Sequence, residues 1–437
     1  MRIQAACLSY LARSVYSALF YLATPFLLLR LRYKAKTNPA YLNRWHERLG
    51  IYPQTTQPIS CKIWFHGVSV GEIETLFPLI DLVQQHHSEP ILVTTTTPTG
   101  SMRVSQVLGQ RVQHVYLPYD LPGATQRFIQ HFQPKLAVIV ETEIWPNLYA
   151  ACQNSHIPLL IINGRLSEKS VKGYQKLPWL THPALAAMTQ ILAQTDVDRA
   201  RFIAIGAHSQ KVSTFGNMKF DNLITPEQIS QGQQLKVHYF AKRWVWLCAS
   251  THEGEEAYCI AAYQALKPVI PELLLLLAPR HPERCQTIQS QIAQQQLNWV
   301  TKSGHEVCKQ DTDVYVLDTL GELKAHYCAS DLAFIGGSLQ PIGGHNVLEA
   351  AAAECPIIFG PYMHNFQEIT DAFISQKAAI LCPTPNELAE SVNLLYQHPE
   401  QREQLARHAK TLVQNNQGVV ARVYDLLKPY LGESVGF

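Results

Sequence analysis

Ten cysteines are scattered through 437 residues without a single Cys-x-x-Cys, the closest two being Cys248 and Cys259. That spacing excludes a zinc knuckle and a short disulfide scaffold, and fits reduced thiols in a cytosolic setting. An excess of charge is missing as well: 36 Lys and Arg stand against 34 Asp and Glu. Whole-chain attraction to nucleic acid is therefore excluded, and any basic patch is local. The glycine-rich segments fit neither the dinucleotide fingerprint nor a Walker loop. "HEGEE" from residue 252 lacks the second histidine of a zinc hydrolase, because Glu256 stands in its place. No short-period repeat is visible.

What is present is an apolar, globular composition (47% hydrophobic) and a length that suits two domains of roughly 200 residues plus appendages. "AACLSYLARSVYSALFYLATPFLLL", residues 5–29, is broken only by Arg13 and Pro25. Its length suits a membrane-crossing helix. Arg13 argues against crossing, since a charge at mid-bilayer costs about 3 kcal/mol, and the clean run 14–29 is short. Spanning the membrane and lying in its interface both remain open. Arg30, Arg32, Lys34, Lys36, Arg44 and Arg48 follow, opposed only by Glu47. By the positive-inside rule the rest of the chain is cytoplasmic, on an anionic membrane surface.

Fourteen short apolar runs then alternate with helix-length segments. The first seven are 62–66, 91–96, 113–117, 136–140, 158–162, 190–194 and 211–215. The second seven are 244–250, 272–278, 297–300, 314–318, 331–335, 356–360 and 378–382. Such spacing predicts parallel sheets covered on both faces, hence an α/β chain with two doubly wound domains. We place the anchor and basic collar at 1–36, a first Rossmann-like domain at 37–224 and a second at 225–437, with ligands in a shared cleft beyond the strand ends.

Two strand-to-helix turns carry the chemistry. "HGVSVGEIE", 66–74, is where a helix N-terminus attracts an anion, yet Glu72 supplies one of its own. In "FIGGSLQPIGGHNVLEAAAAECPIIFG", 334–360, the glycines permit close approach to a phosphate, and Asn346 and Glu349 flank a helix start. A purely structural reading, turn glycines with Asn346 as a cap, fits that segment equally. "APRHPER" (278–284) and "DTLGEL" (318–323) add loops at neighbouring strand ends and suit a nucleotide, with Arg280 for phosphate and Glu349 for ribose hydroxyls. His66, His281 and His345 are either ligand contacts or ordinary loop hydrogen-bonders. "TTTTPTG", 94–100, is either a hydroxyl-rich binding loop or a strand end with a turn.

The ordered set "GEIET", "ETEIWPN" (141–147), "NGRLSEKS" (163–170), "GNMKFD" (216–221), "ASTHEGEE" (249–256), "PRHPER" and "GGHNVLEAAA" resembles the 3-deoxy-D-manno-octulosonic acid (Kdo) transferases of lipopolysaccharide assembly. The likeness runs over nearly the whole chain, including the anchor. Ala350 stands where that family usually has proline. The resemblance implies a GT-B fold and an inverting glycosyltransferase at the cytoplasmic face of the inner membrane. The donor would be CMP-Kdo and the acceptor a lipid A precursor of the lipid IVA type. It implies Glu72 as catalytic base, with Glu143 and Lys219 as transition-state helpers. Donor contacts would fall on Pro279, Arg280, Leu320, Gly321, Glu322, Asn346, Val347, Leu348 and Glu349. No cofactor and no metal is expected, since CMP carries one phosphate rather than a diphosphate. A carboxylate at a helix N-terminus is expected to stay ionised, and the 346 helix to absorb charge on the leaving group. Two other readings fit the fold: a GT-B enzyme using another sugar nucleotide, and a membrane-tethered nucleotide-binding protein without catalysis.

Overall fold

The computed structural model describes residues 2–52, 61–221 and 224–432, with the side chains of the first helix described from Leu8 onward. Strands form at all fourteen apolar runs. Those of the first sheet are β1 (Ile63–His66), β2 (Ile91–Thr95), β3 (Gln113–Tyr116), β4 (Leu136–Val140), β5 (Leu159–Gly164), β6 (Gln190–Ala193) and β7 (Val212–Thr214). The second sheet has β8 (Trp244–Thr251), β9 (Leu273–Pro279), β10 (Trp299–Thr301), β11 (Val314–Val316), β12 (Leu332–Ile335), β13 (Ile357–Phe359) and β14 (Ile380–Leu381). The strand orders are β3-β2-β1-β4-β5-β6-β7 and β10-β11-β9-β8-β12-β13-β14. Every pairing is parallel. Helices cover both faces, so a central strand such as β4 is buried at every residue and shows no polar alternation.

The order reverses between β1 and β4 in one sheet and between β8 and β12 in the other, where β10 and β11 are also transposed at the edge. At such a point the loops leaving the carboxyl ends of adjacent strands diverge to opposite faces and open a crevice.

The chain divides into two compact units, one reaching Asp221 and resuming at Gly418, the other ending at Gln417. The expected second domain, 225–437, therefore loses its C-terminal end to the first unit. Helix Val419–Leu431 buries Val419, Val420, Val423, Tyr424, Leu427 and Leu431 in the core that also holds Ile73, Ile80 and Val83. These positions form one apolar stripe at helical spacing, and a stripe must be covered by whichever apolar face it reaches. Asp221 holds the entry, its carboxylate accepting the N–H groups of Gly418 (2.6 Å) and Val420 (2.5 Å). Chain order alone does not reveal that return.

The first helix, Arg2–Lys34, is long and apolar enough to cross a membrane. Its Leu8, Leu11, Val15, Leu19, Leu22, Phe26, Leu29 and Tyr33 are each more than half exposed and follow one another at three- and four-residue steps. The other face rests on the first unit, against helices Pro146–Asn154 and Pro178–Ala186. Ser17 Oγ donates to Asn147 Oδ1 (3.1 Å), and the Tyr16 hydroxyl bonds the buried Asp120 carboxylate.

If the C-terminal helix completes the first core, Leu427→Ala costs about 2–5 kcal/mol, the usual range for a buried leucine. Chemical denaturation followed by near-ultraviolet circular dichroism should show the midpoint of the first unit falling; an unchanged midpoint would contradict this packing.

Candidate active site

Ser69 caps helix Val70–His86, and Glu72 lies in its first turn, directly beyond β1. One carboxylate oxygen of Glu72 accepts the Val68 N–H (2.7 Å) and the other the Ser69 hydroxyl (2.8 Å). Glu72 is thus a structural cap, yet it is only partly buried and keeps lone pairs beyond those two bonds. Burial raises its pKa, the Val68 N–H lowers it and the nearby Glu141 carboxylate raises it again. Desolvation is the largest of these effects and works against the ionised form that a helix N-terminus favours.

Across the switch point, β4 ends at Val140 and Glu141 follows in a left-handed conformation, φ +60°. Such a backbone is uncommon for a side chain other than glycine or asparagine. Lys219 Nζ reaches Glu141 Oε1 at 3.2 Å. Burial lifts Glu143 to about 7, with Glu72 and Glu141 adding repulsion and the Trp145 indole offsetting part of it. Three carboxylates and one ammonium therefore share the crevice between β1 and β4.

Lys219 is held by backbone chemistry at the ends of β5 and β6. Asn163, also left-handed at φ +52°, accepts the Met218 N–H through Oδ1 (2.9 Å), while Gln194 Nε2 donates to the Asn163 carbonyl (3.0 Å). Asn217 Nδ2 donates to Gln194 Oε1 and its Oδ1 accepts the Lys219 N–H, both at 3.0 Å. The motifs at 163 and 216 thus meet in space. Sequence reasoning singled out Lys219 and Glu143 but not Glu141, Asn163, Gln194 or Asn217; a polar residue ending a buried strand was the available signal.

His66, at the end of β1, is wholly buried, its Nδ1 2.8 Å from Thr94 Oγ1 and its Nε2 without a partner among the described residues. Burial pushes it down to about 4, so it is neutral at ordinary pH. In "TTTTPTG", Thr94 and Thr95 end β2, and Thr97 caps helix Pro98–Val107 by accepting the Gly100 N–H (3.1 Å), the geometry of a strand end with a turn.

In the second unit, loops after β11, β9, β8 and β12 leave four adjacent strand ends. Arg280 is exposed, Leu320 is 71% exposed, Gly321 is exposed at φ +87°, and Glu322 pairs with Lys302 at 3.3 Å. Asn346 Oδ1 accepts the Leu348 N–H (3.0 Å), and Glu349 is partly buried. Pro279, Val347 and Leu348 are buried, which limits them to backbone contacts with any donor.

The glycine loop differs from its phosphate-cradle reading. The N–H groups of Gly337 (2.6 Å), Ser338 (3.1 Å) and Leu339 (3.0 Å) all point to the carboxylate of Glu255, which also accepts from His252 N–H (2.9 Å). Glu255 is wholly buried. The nest is filled by the protein's own anion, so a nucleotide phosphate must find other donors there. The helix after Asn346 is only Leu348–Ala352, five residues. So short a run sums few peptide dipoles, and the expected charge absorption by that helix is correspondingly small. Around the loop, His252 and His345 stack with Nε2 atoms 2.8 Å apart, and the ring of His281 lies edge-on, 5.8 Å from that of His252. Burial pushes His345 down to about 3, with Arg280 next in effect.

The raised Glu143 has a stability consequence. Its folded pKa of about 7 exceeds the ordinary 4.5, so ionising it costs folded-state stability as pH rises through that interval. Glu143→Gln should therefore match the parent near pH 4.5 and exceed it in thermal midpoint above pH 7. A constant difference across scanning fluorimetry from pH 4.5 to 8.5 would refute the carboxylate cluster.

A family model described as 3-Deoxy-D-manno-octulosonic-acid transferase (kdotransferase) matches residues 43–222, and one described as Glycosyl transferase-like matches 338–428. The 3-deoxy-D-manno-octulosonic acid transferase of Haemophilus influenzae is 35% identical over 425 residues, 97% of this chain and 100% of that one. Its Bordetella pertussis counterpart is 34% identical over 387 residues, 86% and 89% of the two chains. The solved structure of the UDP-GlcNAc 2-epimerase from Neisseria meningitidis bound to UDP-GlcNAc superposes with a TM-score of 0.54 at 15% identity, covering 85% of this chain and 99% of that one. That likeness speaks for the GT-B class of α/β fold and not for chemistry. Identity sustained along almost the entire chain speaks for more: the protein is a glycosyltransferase and belongs to the 3-deoxy-D-manno-octulosonic acid (Kdo) transferase family.

Proposed function

We propose that the protein transfers Kdo from CMP-Kdo to a hydroxyl of an acylated, phosphorylated glucosamine disaccharide, the lipid A precursor, with inversion at the anomeric carbon. The observation that supports this best is the position of Glu72: a partly buried carboxylate at the β1/β4 switch point, beside Glu141, Glu143 and Lys219.

In this reading Glu72 takes the proton of the acceptor hydroxyl as its oxygen bonds to the anomeric carbon. The bond from that carbon to the CMP phosphate breaks, and its electron pair leaves on the phosphate oxygen. One displacement inverts the centre and needs no covalent sugar intermediate. Burial, and after it the Glu141 carboxylate, raise the proton affinity of Glu72, which brings a carboxylate nearer the strength a general base needs. Lys219 offsets the charge as the donor's own carboxylate arrives, and Glu143, lifted to about 7 by burial, meets that carboxylate in its protonated form. The donor is assigned to the second unit, with exposed Arg280 on the phosphate and Leu320, Gly321, Glu322 and Asn346–Glu349 around the nucleoside.

The membrane reading favours the interface over crossing. A helix tethered to the folded unit through Tyr16 and Ser17 cannot be ringed by lipid at those positions, whereas its exposed apolar stripe can lie in the headgroup region. The collar of Arg30, Arg32, Lys34 and Lys36 adds attraction to an anionic cytoplasmic leaflet.

Glu72→Gln keeps the shape but removes the proton acceptor. Single-turnover transfer, followed by mass spectrometry of the lipid, should slow by about 10²- to 10⁴-fold, with CMP affinity unaltered. Transfer within a few-fold of the parent would sink the base assignment. Arg280→Ala should weaken CMP by at least about tenfold, the loss of one charge-assisted phosphate contact, in calorimetry on folded protein. If UDP competes as well as CMP in the parent, the donor is another sugar nucleotide.

A further inference from the structure

The C-terminal third of the first helix and the turns after it enclose a groove of about 570 Å³, lined by Pro25, Leu28, Leu29, Leu42 and Trp45 with Arg32 at its edge. Three observations bear on what fills it. The groove continues the exposed stripe of the helix, since Phe26, Leu29 and Tyr33 belong to that stripe and Leu29 lines the groove. Its surroundings are cationic: Arg30 and Arg48 both act on the phenol of Tyr119. Arg48, buried three residues after Trp45, has an Nε without a partner among the described residues and lies 4.3 Å from the Tyr116 ring centre.

The third observation is continuity with the base. Arg48 Nη2 donates to the Thr96 carbonyl (2.9 Å), Thr96 and Thr97 hydroxyls donate to the Val68 carbonyl (3.4 and 3.2 Å), and Val68 N–H donates to Glu72 (2.7 Å). Guanidinium and base thus lie on one run of hydrogen bonds in the first unit, which begins three residues along the chain from Trp45 in the groove.

We infer that this groove receives one acyl chain of the lipid acceptor, with Arg30 and Arg32 taking the acceptor's phosphate at its mouth and the buried Arg48 adding positive charge behind them. The inference rests on the proposed acceptor. An apolar peptide would leave the arginines without a counter-charge, whereas an acylated sugar phosphate supplies both parts. A chain drawn from the interface along the stripe need never cross water, and its headgroup is then delivered beside Thr96 and Val68.

The test uses the full chain and a diazirine-bearing analogue of dodecyl phosphate below its micellar concentration, with labelled residues mapped by mass spectrometry. Label should concentrate within residues 25–45 and be displaced by dodecyl phosphate but not by dodecyl maltoside or inorganic phosphate at equal concentration. Leu28→Trp, which fills the groove, should cut that labelling by at least about tenfold, the loss expected when several methylenes stay in water. Leu42→Trp on the other wall serves as a second blocking variant, and unchanged thermal midpoint and CMP affinity confirm that both fold. Labelling spread evenly along the helix, insensitive to both variants, would mean contact with bulk lipid and would overturn the proposal. Equal displacement by the maltoside would remove the phosphate part of it. No donor is present, so the groove can fail while transfer stands, and transfer can fail while the groove binds.

Discussion

Both switch points are closed by a glutamate that accepts backbone N–H groups of the loop it sits beside, and the rest of each site depends on that contact. A loop at the carboxyl end of buried strands exposes N–H groups with no ladder partner, and each must be satisfied. In the second unit Glu255 takes four of them and is wholly buried. Removing it would leave four donors unsatisfied in a dry interior, so its role is to fix the glycine loop. In the first unit Glu72 takes one N–H and one hydroxyl and remains partly exposed. The same device, less deeply buried and less saturated with donors, leaves a carboxylate with capacity for a proton.

That capacity is set by neighbours. Burial first, and then the Glu141 carboxylate, raise the proton affinity of Glu72; burial first, and then Glu72 and Glu141, raise that of Glu143; Lys219 pairs with Glu141 at 3.2 Å. Left-handed residues at the ends of β4 and β5, Glu141 and Asn163, hold the cluster in place. Backbone conformations of this kind carry a cost and persist where the surroundings over-determine them, commonly at functional sites. Here the overdetermination is visible as the Asn163, Gln194 and Asn217 network beneath Lys219.

The strands were legible because parallel sheets bury both faces, which turns each one into a compact apolar run bounded by turn residues. The return of Val419–Leu431 to the first core was not, since an amphipathic stripe declares that it will be covered but not by what. The glycine loop misled for a related reason: Gly336 and Gly337 do mark a nest for an anion, but the anion is Glu255, far earlier in the chain, where it reads as part of a failed zinc motif and of one family motif. Glu143 and Lys219 were found through family likeness rather than physics. Glu141, paired with Lys219, carries only the weak signal of a polar residue ending a buried strand, which a solvent-facing acid at a strand end shares.

Fold and activity part company here, since an epimerase shares the architecture at 15% identity. What differs among such proteins must lie in side chains at the switch points and in what is appended to the sheets. The appended part of this chain is the first helix, and its attachment is polar: Tyr16 to Asp120, whose carboxylate also accepts the N–H groups of Asn147 and Leu148, and Ser17 to Asn147. Those bonds tie the helix to the N-terminus of Pro146–Asn154, the element that follows Glu141 and Glu143. The first helix is thereby coupled through Asp120 to the loop carrying the carboxylate cluster. On the proposed reading, the surface that would meet the lipid and the residues that would meet the acceptor hydroxyl belong to one set of hydrogen bonds in the first unit.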